Sequence, residues 1–269
     1  MWTLDGVKEK IRKLSPETIG LALSGGGVRG FAHVGVLMAF ESFGRKPHIL
    51  SGVSAGAIAA ALYGAGLTPK EIIECFNEYS KFGDFTEWSI PKEGFFKMKK
   101  FAKLLGDWLP VKNLEDMKIP TVICATDLDN GKSVGWGTGE IVPRVVASCS
   151  IPVVFHPVRI NGVNYVDGGV LRNLPAWAIR KHCDTLFGSN CSPLNRKYKF
   201  KNSMIDIALR SYQLMSKANS LQDINICDHI IQTEKMASFR TFELSQMKKV
   251  VDYGYDTACR VLETIYKQK

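Results

Sequence analysis

The chain has 269 residues, 45% of them hydrophobic, and 35 Lys and Arg against 26 Asp and Glu give a formal net charge of +9. That length and apolar content suffice for one substantial core, no repeat or low-complexity segment interrupts it, and no run approaches the roughly 20 apolar residues of a membrane span. The charged Met1 to Thr18 stretch lacks the apolar centre of a secretory signal, and seven scattered cysteines without a C-x-x-C pair read as free thiols, so a cytoplasmic protein is expected, with peripheral contact to a membrane as an option.

After an amphipathic N-terminal segment, Thr18 to Leu23 reads as a strand, Gly25 to Gly30 as a loop and Phe31 to Ser42 as a helix. A short apolar run, His48 to Leu50, leads into Gly52-Val53-Ser54-Ala55-Gly56, and small residues then continue as a helix through Leu62. Thr68-Pro69-Lys70-Glu71 carries a capping box with proline in the first turn and opens a further helix to about Ser80. Strands alternating with helices predict an α/β fold: a three-layer α/β/α sandwich around a mainly parallel sheet.

From Lys81 to Trp108 the rhythm breaks, and the stretch reads as an irregular, aromatic-rich insertion or lid. Within it Lys97, Lys99, Lys100 and Lys103 alternate with Phe95, Phe96, Met98 and Phe101. This composition suits an anionic membrane surface, or else an ordinary amphipathic helix that packs Phe95, Met98, Phe101 and Leu105 inward. Pro120 to Ala125 resumes as a buried strand. Asp129-Asn130-Gly131 turns it into Ser133 to Trp136, and Asn161-Gly162 joins Val153 to Ile160 with Val163 to Val166 in a second hairpin. A helix from Pro175, a strand from Asp184 to Gly188, and a long helix from about Glu243 follow.

Three glycine-rich segments carry the chemistry. Ser54 occupies a G-x-S-x-G turn between strand and helix, where Gly52 and Gly56 permit a tight bend and the hydroxyl projects away from the sheet over a helix N-terminus. Gly25, Gly26 and Gly27, with Val28-Arg29-Gly30, also match the dinucleotide pattern G-x-G-x-x-G, but the second strand ends in Leu50-Ser51-Gly52 without the acidic residue that would bind a ribose. Beside Ser54 the same loop can offer backbone N–H groups to an oxyanion, with Arg29 and Gly30 as support. A serine also needs a base. His182 and His229 come late enough for a Ser-Asp-His order, yet each of the five histidines reads as structural. Asp167, at a strand end before Gly168 and Gly169, is the better candidate for a two-residue dyad, provided that burial raises its basicity.

These segments, in this order, resemble the patatin-like phospholipases, lipid acyl hydrolases that use a Ser-Asp dyad. Ala125-Thr126-Asp127-Leu128 with Gly131-Lys132, Ala147-Ser148 to Pro152, and Asn173-Leu174-Pro175 are similar to that family's patterns as well, over about Gly20 to Arg180. The resemblance implies a patatin-like catalytic region over 20–180, with 181–269 adding a strand and helices to the same domain. It implies Ser54 as nucleophile, Asp167 as base, and Gly26 and Gly27 as oxyanion donors. The implied substrate is a lipid or other acyl ester. No metal or other cofactor is expected, since no loop carries a calcium-ligand spacing, and no nucleic-acid partner. Val153 departs from the family, which has glycine there, and so does His156, where proline or an apolar residue is usual. Two other readings remain open: a Ser-His-Asp hydrolase, and a protein that keeps the fold for binding or regulation with little turnover.

Overall fold

Strand β1 (Ile19–Leu23) is buried at every residue, as is β2 (Ile49–Gly52). Such near-continuous apolar runs are what parallel strands covered on both faces require. The computed structural model describes residues 17–81, 94–194, 203–232, 234–238 and 246–266. Besides β1 and β2 its strands are β3 (Thr121–Asp127), β4 (Lys132–Trp136), β5 (Val158–Ile160), β6 (Val163–Asp167), β7 (Thr185–Asn190) and β8 (His229–Gln232). Parallel pairing runs through β3, β2, β1, β7 and β8, while β4 and the β5–β6 hairpin join β3 antiparallel.

The two faces of this sheet are covered unequally. Leu21, Leu23, Leu50, Ile123, Phe187 and Ile231 point into a large apolar core with helices α1 (Phe31–Ser42), α2 (Ala55–Ala65), α3 (Pro69–Lys81), α4 (Gly94–Trp108), α5 (Ile141–Ser148) and α7 (Met247–Tyr266). Ala22, Ile49, Val53, Val122 and Leu186 point the other way, into a thin layer built from Leu174, Ala176 and Ile179, with Ile224 at the end of helix α6 (Met204–Ile224) packed against it. The three layers and the mainly parallel sheet are those the sequence predicts. The capping box forms as expected: Thr68 N–H donates to Glu71 Oε2 at 2.7 Å and Glu71 N–H to Thr68 Oγ1 at 3.3 Å.

Besides helix α6, which the sequence reading does not place, local structure departs from it in four places. The C-terminal half of the expected irregular insertion is the helix α4, with Leu105 fully buried and Phe101 and Trp108 packed on the core. The inward Phe101 and Leu105 are what the amphipathic-helix alternative expects, and the exposed Lys99, Lys100 and Lys103 fit either alternative; Phe95, Phe96 and Lys97 lie outside the residues whose side chains are described. Helix α5 begins Ile-Val-Pro and ends Val-Val-Ala-Ser, a β-branched composition that hides it. The expected strand from Val153 begins only at Val158, because Val154 and Phe155 N–H groups turn back to Ile151 O. The expected helix from Pro175 is a single 3₁₀ turn, Pro175–Ala178. There side chains replace the helical ladder, Ser51 Oγ donating to Pro175 O and Trp177 N–H to Asp223 Oδ1. The start of α7 is described from Met247, so Glu243 lies outside the described residues.

Candidate active site

Ser54 follows β2 and Asp167 ends β6, two strands that run in opposite directions, and the register of β3 brings their tips together. Ile123 pairs with Gly52 on one edge of β3 and with Trp136 on the other. Ala125 pairs with Val134 and with Asp167. Since β4 occupies one edge throughout, β2 and β6 share the opposite edge and abut tip to tip. Gly52 and Asp167 are therefore two β3 residues apart, roughly 7 Å at about 3.3 Å per residue. The β3 carbonyl left between the tips, Cys124 O, accepts a 2.6 Å bond from Ser148 Oγ, which itself accepts the Ser54 N–H at 2.8 Å.

At the elbow, Ser54 has φ 53° and ψ −121°, a left-handed conformation that costs a non-glycine residue energy and persists because its surroundings enforce it. Gly56 lies directly on the backbone of Leu23, where any Cβ would collide with the carbonyl oxygen, and Gly52 lies equally close to the Gly56 carbonyl. Helix α2 starts at Ala55, whose N–H has no acceptor among the described residues, while the Gly56 and Ala57 N–H groups turn back to Val53 O at 2.8 Å and Ser54 O at 2.9 Å.

The neighbouring glycine loop divides its labour. Gly25 N–H donates to Asn173 O at 3.1 Å, which removes Gly25 from the candidate oxyanion donors. Gly26 and Gly27 N–H groups have no acceptor among the described residues, and Gly27 takes φ 60°, which suits glycine. Buried Arg29 donates through Nη1 to Pro193 O at 3.0 Å and through Nε to Gly26 O at 3.4 Å, so it braces the loop as expected. Gly30 opens α1 against Ala55.

Asp167 is fully buried. Its Oδ1 accepts the Gly169 N–H at 2.8 Å, and its own N–H is held by Ser150 O at 2.9 Å, while Gly168 rests on Val53 and Cys124 O. Its Oδ2 has no hydrogen bond of good geometry, but the hydroxyls of Ser54 and Tyr212 lie near enough to stabilise its charge. Burial raises the pKa from 3.8 to about 6, against the opposing pull of Ser54, the Gly169 N–H and Tyr212. Cys149 lies close enough to Ser54 and Asp167 to feel both, and burial holds its thiol well above the ordinary range, hence neutral. Among the described residues no histidine hydrogen-bonds Ser54 or Asp167. His33 binds Ser189 Oγ and Ser24 O, both at 2.8 Å, and His48 accepts the Ile19 N–H at 2.9 Å.

A family model described as patatin-like phospholipase matches residues 21–179, more than half of the chain. The chain belongs to the patatin-like phospholipase family. Among curated proteins, an uncharacterised NTE family protein of Mycobacterium tuberculosis is 30% identical over 177 residues, 62% of this chain and 46% of that protein. The neuropathy target esterase sws of Drosophila melanogaster is 30% identical over 174 residues, 61% of this chain but 12% of its own. The chain thus spans about half, or much less, of the curated relatives it matches. VipD of Legionella pneumophila, at 17% identity, has the same fold with a TM-score of 0.56 over 93% of this chain and 67% of its own.

Against the patatin-like pattern, the structure brings together Ser54, Asp167 and the Gly25–Gly30 loop. Val153 takes φ 71° with 66% exposure, a backbone conformation that would suit the glycine the resemblance leads one to expect there. Sequence reasoning saw Ser148 and Asn173 only as parts of family patterns. Asn173 is buried between Gly25 and Gly169 and leaves its Nδ2 without a partner. Tyr212 gave no signal at all, lying 45 residues beyond Asp167 in a stretch without a motif. Of the described residues, no helix is long and apolar enough to cross a membrane.

Proposed function

We propose that the chain is a lipid acyl hydrolase working through a Ser54–Asp167 dyad. Ser54 Oγ attacks the carbonyl carbon of a carboxylic ester as its proton passes to Asp167. The tetrahedral oxyanion is held by the N–H groups of Gly26 and Gly27 and by the N-terminus of α2. Asp167 then returns the proton to the leaving alcohol, and the acyl group stays on Ser54. A water deprotonated by Asp167 attacks the acyl-enzyme and releases the fatty acid, restoring Ser54. Removal of one oxyanion donor from such a site typically costs 10²–10³ in rate.

The observation that supports this reading is the tip-to-tip meeting of β2 and β6, with a buried carboxylate of raised basicity facing the serine. The absence of histidine from the hydrogen bonds of both residues favours the dyad over a Ser-His-Asp triad. The test is hydrolysis of p-nitrophenyl butyrate together with labelling by a fluorophosphonate. Wild-type protein should turn over the ester and label at Ser54, Ser54→Ala should do neither while remaining folded, and His182→Ala and His229→Ala should keep activity. Turnover by folded Ser54→Ala would refute the reading. Absence of labelling and turnover in folded wild type would favour a binding protein.

A further inference from the structure

Helix α6 turns a polar row, Tyr212, Ser216, Asn219 and Asp223, towards the catalytic turn. Ser216 Oγ donates to Gly169 O at 2.9 Å, and Asn219 Nδ2 donates to Gly169 O at 2.9 Å and Val170 O at 3.1 Å. Asn219 Oδ1 accepts the Asn173 N–H at 2.9 Å, and Asp223 takes Arg172 in a two-pronged pair at 2.6 and 2.8 Å. Three of the four residues therefore hold the backbone of 169–173 or its arginine. Tyr212 is the exception: its hydroxyl lies over the turn at Gly169, within electrostatic reach of the Asp167 carboxylate.

Two observations place it there. A Cβ built on Gly169 would collide with the Tyr212 hydroxyl, so that hydroxyl lies directly over the turn that follows Asp167. Asp167 Oδ2 is buried and is the oxygen not taken by the Gly169 N–H. We propose that Tyr212 is a positioning residue for the dyad, its hydroxyl donating to Asp167 Oδ2 so that the carboxylate keeps its orientation towards Ser54. The proposal rests on the dyad reading and adds a third group, from a different helix, to it.

The surroundings make a phenol well suited to this task. The groups facing Asp167 are the Ser54 hydroxyl at the start of α2, the Cys149 thiol after α5, and the Tyr212 phenol on α6, and none carries a competing charge. Burial and the nearby carboxylate hold the Tyr212 pKa well above its ordinary value, so it remains a donor at every working pH. The positive charge closest in sequence, Arg172, is committed to Asp223. Tyr212 is thus a neutral donor that favours ionised Asp167 without the stronger drop in basicity that a paired cation would cause.

The experiment is the pH profile of kcat/KM for p-nitrophenyl butyrate, measured on wild type, Tyr212→Phe, Gly169→Ala and Leu214→Ser, with Ser54→Ala as the blank. Loss of the donor should move the acidic limb upward by about half a unit or more and lower kcat about tenfold, with KM within about twofold. Gly169→Ala displaces the hydroxyl and should move the limb the same way, and adding Tyr212→Phe to it should move the limb no further. Leu214→Ser, on the outer face of α6, should leave the limb in place. An unmoved limb in folded Tyr212→Phe overturns the proposal, and if that variant does not fold, an unmoved limb in Gly169→Ala does so. Should the limb stay put while Ser54→Ala is inactive, the dyad stands without Tyr212; should Ser54→Ala retain turnover, the dyad itself is wrong.

Discussion

Helices α6 and α7 are of similar length, and they are built on opposite principles. Helix α7 buries Val250, Val251, Gly254, Ala258 and Leu262, and it crosses α1 so closely that Gly254 lies on the backbone of Ala32 and Gly35 on that of Val251. Helix α6 is inverted. Its buried residues are Ser216, Ser220 and Asp223, while Met204, Ile207, Leu214 and Leu221 are exposed. One helix contributes stability through apolar burial, and the other holds the geometry of the turn after Asp167 through hydrogen bonds, each of which adds little net stability but is costly to leave unmade.

Substitutions in the two helices should therefore separate stability from turnover. The largest effect is expected for Gly254→Val, which drives a branched side chain into the α1 backbone. It should destabilise by at least about 3 kcal/mol in chemical denaturation, and a folded, fully stable variant would sink the account of that crossing. Leu262→Ala should cost about 2–4 kcal/mol yet leave kcat/KM of the folded protein within about twofold.

Asp167→Asn, in the turn that α6 clamps, should do the reverse. The folded pKa of about 6 lies above the unfolded value near 3.8, so the folded state holds the proton more tightly, and ionisation costs stability progressively as pH rises from about 4 to beyond 6. Removing that charge should stabilise the protein by on the order of 2–3 kcal/mol at pH 7.5 and by little at pH 4, while abolishing hydrolysis. Equal melting shifts at both pH values would contradict the raised pKa. Asn219→Ala should cost only about 1–2 kcal/mol but lower kcat at least tenfold, because it frees Gly169 and Asn173 together. Leu214→Ser should stay within about 0.5 kcal/mol of wild type, and a larger loss would mean that the outer face of α6 is covered.

The same contrast explains what the sequence discloses. The proposed dyad is legible because glycine marks each backbone position that bends sharply or touches a neighbour: Gly52 and Gly56 around Ser54, Gly168 and Gly169 after Asp167. The long C-terminal helix could be read from its apolar period. Helix α6 could not, since a reader of hydrophobic period would turn Ile207, Leu214 and Leu221 inward and the polar row outward. Tyr212 was hidden for that reason. The assignment of Gly25 as a donor failed for another: glycine content shows where a backbone can approach an oxygen, and cannot show that its N–H already serves Asn173 O. Likewise the turn at Pro175 reads as a helix until Asp223, 48 residues later, takes the Trp177 N–H.

Strand β3 supplies no reacting group to the proposed chemistry, yet it works as the caliper of the site. One jaw is the point where it grips Gly52 and the other the point where it grips Asp167. A single residue inserted between Ile123 and Ala125 would open those jaws by about 3.3 Å and turn the far half of the strand over. The gauge of the proposed reaction is thus kept by main-chain counting in a strand whose residues are all buried.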